Sequence, residues 1–183
     1  MRSETRKERQ GKKEAQYMPV SIALINFGQE SNIAFSIRSA ACFGVKNVYI
    51  VGNTTLKRET LQDLSGSTLD LVNIKTFSTP LEFVEYCRAN KIFMVSMELI
   101  KDQEFYLDEY DFIFNLYPSM IAENCIIVGH ETAGIPVEIL KNGEVVAIRM
   151  PGKGFCLNTS QTCNIALYEA ARQWKIYQDK LSK

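Results

Sequence analysis

Histidine is almost absent from this sequence, and the cysteines form no metal-binding or disulfide pattern. One histidine and five cysteines occur in 183 residues, and no two cysteines have Cys-x-x-Cys spacing. Four of the five lie in apolar periodic segments, where cysteine behaves as a small hydrophobic residue. We therefore expect reduced thiols, a cytoplasmic location and no metal centre.

The sequence also lacks a long hydrophobic run and a net charge. No apolar stretch approaches the length that spans a membrane, and the charged start, MRSETRKERQGKKEAQYMP, is unlike a secretory signal. Lysine and arginine total 21, as do aspartate and glutamate, so the formal net charge is zero. A nucleic-acid partner must therefore be bound by a local basic patch. We expect no membrane partner.

Charge and hydrophobicity divide the chain into two regions. Residues 1–18 carry six lysines and arginines against three glutamates, which predicts a basic N-terminal arm, either a solvated tail or a nucleic-acid contact. The chain as a whole is 46% hydrophobic, enough for one buried core. We therefore predict a single domain over residues 19–183.

Beyond the arm, short runs rich in Val, Ile and Phe alternate with helical patterns. Continuous apolar runs of this kind are typical of strands that are buried on both faces. The pattern predicts an α/β fold with a mainly parallel six-stranded sheet and helices on both faces. Residues 101–123 are rich in Phe and Tyr and fit neither pattern. The strand candidates are Val20–Asn26, Asn47–Val51, Leu71–Phe77, Ile92–Met97, Cys125–Gly129 and Val145–Arg149.

Three helices have recognisable ends. The segment ESNIAFSIRSAACFG predicts a helix that starts near Ser31 or Asn32, with a side-chain cap, and stops at Gly44. In TPLEFVEYCRAN, Thr79 is placed to cap the first turn. The last helix is predicted from about Gln161 onward.

Ligands of open α/β sheets collect beyond the carboxyl ends of the strands, so the residues after each strand are of interest. Three such segments are polar or glycine-rich: FGQESNIAFSIR, GHETAGIP and MPGKGFCLNTS. In the first segment, Asn32 taken by itself is explained by a helix cap. Arg38 is unusual within an apolar helix, and it either reaches back toward the strand ends or forms a surface or salt-bridge contact.

The second and third segments contain potential reactive groups. Gly129 and Gly134 frame Glu131 in a tight turn, and glycine there allows close approach of a ligand. His130 has no second ligand nearby in the pattern, so a metal site is unsupported. A hydrolytic pair of His130 with Cys156 is equally unsupported.

Taken together, these motifs resemble those of the SpoU/TrmH family of RNA ribose 2′-O-methyltransferases, within the SPOUT superfamily. The resemblance spans about Val20 to Trp174. The matching positions are Asn32, Arg38 and Gly44 in the first motif, Gly129, Glu131 and Gly134 in the second, and Ile148, Met150, Gly152, Leu157, Asn158 and Ser160 in the third.

The resemblance implies a C-terminal trefoil knot, an exception to the usual absence of threading. It also implies a homodimer that binds S-adenosylmethionine in the knot loops and acts on RNA without a metal. The implied cofactor-binding residues are Ser96, Gly129, Ile148, Cys156 and Leu157, and the implied catalytic residues are Asn32, Arg38, Glu131 and Asn158.

The implied roles follow from side-chain chemistry. Arg38 would orient a phosphate and stabilise the developing alkoxide, because a guanidinium is too weak a base to take a proton. Asn32 and Asn158 would hold the substrate or the loops, and Glu131 would anchor the knot loop. Arg149 replaces a residue that is usually proline in this family and would add a basic group near the RNA.

Two functions remain open at this stage. The first is methyl transfer from S-adenosylmethionine to a ribose 2′-hydroxyl of RNA. The target would be tRNA rather than rRNA, since the family's larger rRNA members often carry an N-terminal RNA-binding domain not found in this sequence. The second is a catalytically impaired, knotted RNA-binding protein, which Cys156 suggests by replacing the family's usual serine.

Overall fold

The structure, a computed structural model, describes residues 14–52, 57–113 and 121–182. Seven strands and five helices occur in these ranges. They are β1 (Val20–Ile25), α1 (Glu30–Phe43), β2 (Asn47–Val51), α2 (Arg58–Leu64), β3 (Asn73–Phe77), α3 (Pro80–Ala89), β4 (Ile92–Met97), β5 (Phe105–Tyr106), β6 (Glu123–Val128), α4 (Val137–Leu140), β7 (Gly143–Ala147) and α5 (Thr159–Leu181).

The strands form one sheet in the order β3-β2-β1-β6-β4-β7-β5. Every neighbouring pair is parallel, which confirms the predicted α/β class. The expected count of six strands was one short, because β5 is only two residues long and lies in the segment that had no readable pattern. The predicted third strand starts later, at Asn73, since Leu69–Leu71 forms a 3₁₀ turn.

Helices cover both faces of the sheet, as predicted. One core lies between the sheet and α1, α2 and α5, and includes Ile33, Ile37, Leu61 and Leu167. The other lies between the sheet and α3 and α4, and includes Phe83, Cys87 and Ile139. The interior strand β1 is buried along its whole length, which explains why its residues are apolar apart from Ser21.

The helix ends agree with the sequence in part. Gly44 ends α1 with a φ of 78°, and the Thr79 side chain accepts a hydrogen bond from the backbone N–H of Glu82, both as predicted. The predicted cap of α1 was wrong: the helix begins at Glu30, and its N-cap Gln29 makes no side-chain cap. Asn32 therefore lies inside the first turn and has another partner, described below.

The predicted basic arm, residues 1–18, lies mostly outside the described ranges. Of its described part, residues 14–18, only Met18 is buried. The N–H of Met18 donates to the carbonyl of Gly44 at 2.9 Å, which fixes the start of β1 beside the end of α1. All five cysteines are free thiols. None of the helices in the described ranges combines the length and the apolar character needed to cross a membrane.

Candidate active site

A cleft of about 510 Å³ opens at the carboxyl ends of β4, β6 and β7. These three strands are neighbours in the sheet, so the loops that follow them meet at one edge, as the strand-end rule predicts. The cleft is lined by residues 97–99 at the end of β4, by residues 128–135 at the end of β6, by Leu140, Val146 and Ala147, and by Ile148, Met150, Phe155, Cys156, Leu157, Thr159 and Thr162 after β7. Two of the three predicted segments thus form one cavity.

The remaining segment is tied to this cavity through Glu131. The side-chain amide of Asn32 donates to Glu131 Oε1 at 2.7 Å, and the backbone N–H of Gly28 donates to Oε2 at 3.2 Å. Burial by itself raises the pKa of the Glu131 carboxyl, but the hydrogen bonds and the neighbouring His130 outweigh it and hold that pKa below its usual range. Glu131 is therefore an ionised anchor between the loops after β1 and β6.

We expect Glu131→Gln to lower the free energy of unfolding by about 1–3 kcal/mol at pH 7, because glutamine keeps one acceptor oxygen and loses the charge. A lowered folded-state pKa stabilises the protein above the unfolded pKa, about 4.3, and this contribution disappears as the pH falls through the lower folded value. Urea unfolding at pH 7 and pH 3 measures it.

The difference between wild type and Glu131→Gln should therefore shrink at pH 3. An equal difference at both pH values would contradict the role of the carboxylate charge. Glu138→Gln is the matched control, since Glu138 is an exposed carboxylate on α4.

The only histidine shapes the turn beside this anchor. His130 Nδ1 accepts hydrogen bonds from the backbone N–H of Thr132 at 3.0 Å and from that of Ala133 at 3.2 Å. The backbone of His130 also pairs with Gly134 in both directions. Within the described ranges, no group of three or more His, Cys, Asp or Glu side chains is arranged to bind a metal.

The turn is closed so tightly that glycine is required at two positions. A Cβ at Gly129 would lie 2.3 Å from the carbonyl carbon of Gly134, and Gly134 itself has a φ of +67°. Glu98, directly after β4, holds the far side of the turn: its Oε2 accepts from the N–H of Ile135 at 3.2 Å. The sequence analysis missed Glu98, although a carboxylate directly after a buried strand could have been selected by the strand-end rule.

The segment after β7 starts a helix and lines the cleft. Asn158 Oδ1 accepts from the N–H of Ser160 at 2.8 Å, and the N–H of Asn158 donates to Gln161 Oε1 at 3.1 Å, so Asn158 caps α5 in a capping box. Cys156 and Leu157, just before this cap, line the cavity. The helix begins at Thr159, two residues before the predicted start.

Four of the five predicted cofactor-binding residues line the cleft: Gly129, Ile148, Cys156 and Leu157. Ser96 does not line it. It is fully buried one residue before the end of β4, and its hydroxyl has no hydrogen-bond partner among the described residues. The next residues, Met97 and Glu98, are the ones that face the cavity.

Thr159 is a second residue that the sequence analysis missed. Its side chain lines the cleft, only 8% of the residue is exposed, and its hydroxyl finds no partner within the described ranges. A buried hydroxyl without a partner costs free energy unless something else satisfies it. The cleft therefore offers an unused hydrogen-bonding group at the start of α5.

Two arginines behave differently from the sequence expectations. Arg38 is exposed on α1, and the described residues give it no hydrogen bond or ion pair; its guanidinium lies over Gly66, outside the cleft. Arg149 is not a free basic group, because it binds Asp108 and, at 2.9 Å, Glu109. The hydrogen bond to Glu109, followed by the contacts with Asp108, raises the Arg149 pKa, and the guanidinium lies 4.0 Å from the Tyr106 ring centroid.

Three solved structures share this fold at low sequence identity. A crystal structure of an A. aeolicus TrmH/SpoU tRNA modifying enzyme has a TM-score of 0.76 and 21% identity, covering 90% of this chain and 80% of that one. An AdoMet-bound rRNA methyltransferase from Sinorhizobium meliloti has a TM-score of 0.73 and 23% identity, covering 86% and 57%. A structure described as giving insights into the 2-OH methylation of C/U34 on tRNA has a TM-score of 0.72 and 21% identity, covering 85% and 96%.

A comparison with curated proteins found no significant match. A family model described as the SpoU rRNA Methylase family matches residues 19–168, which include β1 to β7 and the first part of α5. Because this match takes in most of the chain, the protein belongs to the SpoU rRNA methylase family.

Proposed function

We propose that this protein transfers a methyl group from S-adenosylmethionine to a ribose 2′-hydroxyl of RNA. The observation that carries the proposal is the cleft at the carboxyl ends of β4, β6 and β7, whose walls are the second and third sequence motifs. The family match and the AdoMet-bound structure of a similar fold support the choice of cofactor. When bound, S-adenosylmethionine supplies an electrophilic methyl group on a sulfonium.

The residues of the cleft fit this cofactor. Leu140, Val146 and Ile148 offer apolar surface for an adenine, while the backbone around Gly129 and Leu157 and the unpaired Thr159 hydroxyl offer hydrogen bonds. No metal is needed for methyl transfer from a sulfonium. We further propose that residues 129–157 form the trefoil knot. The cleft supports this proposal, because the loop after β6 and the loop after β7 both line it.

Thr159→Val should separate cofactor binding from stability. Valine has nearly the shape of threonine but no hydroxyl, so a lost cofactor hydrogen bond should weaken S-adenosylmethionine binding roughly 2- to 10-fold. Because the hydroxyl has no partner among the described residues, the cofactor-free protein should keep or slightly raise its melting temperature. Calorimetric titration and thermal unfolding measure the two effects.

Thr162→Val is the matched control, since Thr162 also lines the cleft but is not among the buried side chains without a partner. Unchanged cofactor affinity in Thr159→Val, or an equal loss in the control, would contradict the role of Thr159.

The remaining residues position the RNA. In this proposal Arg38 orients the phosphate next to the reacting ribose and stabilises the alkoxide that develops as the 2′-hydroxyl loses its proton. Asn32 holds the loop after β6 through its hydrogen bond to Glu131. Asn158 holds the loop after β7 by capping α5. Cys156 needs no chemical role here, since its backbone alone can line the cavity.

We propose that the site is completed by a second copy of the chain. Arg38 lies outside the cleft of its own subunit. It can therefore reach a bound cofactor only if it faces the cleft of a second subunit or if it moves. On the same side of the molecule, Phe35 of α1 and Ile165 and Tyr168 of α5 are 44%, 39% and 59% exposed. These apolar side chains on packed helices form a surface suited to a homodimer.

We propose tRNA as the RNA class and the cytoplasm as the location. The tRNA proposal is supported by the structure on C/U34 methylation, of which this chain covers 96%, whereas it covers 57% of the rRNA methyltransferase. The location is supported by the five free thiols.

Calorimetric titration with S-adenosylmethionine, with and without a chelator, tests the first step. Saturable binding that the chelator does not change is the expected result. Failure of the chelated protein to bind would overturn the proposal.

A further inference from the structure

Phe155 is far more exposed than any other large apolar side chain in the described ranges. It is 97% exposed, whereas the next, Leu181 near the end of α5, is 68% exposed. Phe155 also lines the mouth of the cofactor cleft. A single exposed apolar side chain is common on protein surfaces. Phe155 differs from the others in that its ring lies at the edge of the cleft, where it is placed to contact whatever enters.

The loop that carries Phe155 is shaped and charged for nucleic acid. Gly152 and Gly154 precede Phe155 in the chain, and no atom lies within 4 Å of the position that a Cβ would take at either glycine. Residues 150–157 contain one cation, Lys153, and no carboxylate. Lys153 makes no ion pair with any described residue, whereas Arg149 just before the loop is neutralised. Both faces of the ring are therefore open, beside a free positive charge.

Methyl transfer to a 2′-hydroxyl requires the ribose to reach this cleft mouth. Proteins that recognise RNA by sequence bind mostly single-stranded loops and ends, whose bases are displaced from the stack and packed on aromatic side chains. A displaced base exposes a flat face and loses its stacking free energy unless an aromatic surface replaces the neighbouring base. We propose that Phe155 is that surface: it stacks on an unpaired base of the substrate, at or next to the nucleotide whose ribose is methylated. This inference rests on the proposed function and names a substrate-binding residue for it.

The test compares wild type, three variants at position 155 and one control variant, with two RNA probes. Wild type, Phe155→Ala, Phe155→Leu and Phe155→Trp are titrated with a fluorescein-labelled 12-nucleotide oligo(rA), at saturating S-adenosylhomocysteine, and with a strand of abasic riboses of equal length. Leucine keeps an apolar side chain without a π face, and tryptophan enlarges the π face. Leu181→Ala controls for the loss of an exposed apolar group elsewhere.

We expect Phe155→Ala and Phe155→Leu to bind oligo(rA) roughly 5- to 100-fold more weakly than wild type, and Phe155→Trp to bind at least as tightly. On the abasic strand, all four should bind with similar affinity. Cofactor affinity, melting temperature and the mass of the assembly in solution should not change, since the side chain packs on nothing in the described structure.

Four outcomes overturn the inference in different ways. A parallel loss of S-adenosylmethionine affinity would assign the ring to the cofactor. A loss of the dimer mass would assign it to the subunit interface. Unchanged oligo(rA) binding by Phe155→Ala, with wild type binding and methylating RNA, would refute base stacking while leaving the proposed function intact. If wild type neither binds nor methylates RNA, the proposed function fails together with this inference.

Discussion

Arg38→Ala should lower kcat roughly 100- to 1,000-fold while leaving the affinity for S-adenosylmethionine unchanged. The expected loss is that of a donor to developing negative charge, and the affinity is unaffected because Arg38 does not line the cleft. Arg38 makes no hydrogen bond or ion pair with any described residue, so its removal should not destabilise the fold. Single-turnover methylation of tRNA and calorimetry with the cofactor measure the two quantities.

Arg38→Lys should recover little activity, because lysine lacks the planar fork that binds a phosphate through two hydrogen bonds. Arg58→Ala is the matched control: Arg58 is another exposed arginine, and its only described ion pair, with Asp70, lies on the surface. Loss of cofactor affinity in Arg38→Ala would instead give Arg38 a structural role.

The same residue tests the homodimer. If Arg38 of one subunit serves the cleft of its partner, mixing inactive Arg38→Ala and Asn158→Ala subunits should restore part of the activity, since some hybrid sites keep both residues. Restoration requires subunit exchange, which sedimentation can follow. No restored activity after demonstrated exchange would contradict a site shared between subunits.

Gly129→Ala should lower the free energy of unfolding by about 1–3 kcal/mol and reduce kcat/KM roughly 100-fold. The added methyl group would lie 2.3 Å from the backbone of Gly134, and backbone cannot move aside as a flexible side chain can. The turn must therefore shift, taking with it the wall of the cleft and the carboxylate of Glu131. Thermal unfolding and steady-state methylation measure the two losses.

Gly152→Ala is the matched control, because nothing lies within 4 Å of its added Cβ and its φ is not in the left-handed region. It should behave as wild type. Equal stability and activity in the two alanine variants would show that the turn after β6 is more adaptable than its contacts indicate.

The sequence predicted β1, β2, β4 and β6 because these strands are buried along most of their length and carry apolar runs of their own. β1, β2 and β4 begin and end within one residue of their predicted bounds. β5 could not be found in this way, since two residues cannot express a period of two. It exists because Phe105 and Tyr106 pair with β7, a contact that depends on tertiary structure.

Side chains with tertiary partners were the hardest to interpret. Asn32 looked like a helix cap because asparagine is common there, yet its amide binds Glu131, 99 residues away. Arg149 looked like a free cation, but Asp108 and Glu109 lie in a segment whose structure was not predicted. The helix cap at Asn158 could be predicted from the local sequence, because its partners Ser160 and Gln161 are close in the chain. A capping residue followed three positions later by glutamine is a known sequence signature.

The trefoil knot and the homodimer remain proposals, and the knot was inferred only from the family resemblance. Periodicity describes the burial of each element, but it holds no information on which loop passes through which. The cleft walls could be predicted in part. The strand-end rule predicted which segments meet, but the contacts of Glu98 and Glu131 that hold these segments together were seen only in the structure.

Transfer of tritiated methyl from S-adenosylmethionine to unmodified tRNA, followed by digestion to nucleosides and chromatography, distinguishes the possible reactions. We predict label in 2′-O-methylated nucleosides, present with wild type and nearly absent with Arg38→Ala. Label on a base, or no transfer by a protein that binds both cofactor and RNA, would contradict ribose methylation, and the second result would identify a catalytically impaired RNA-binding protein.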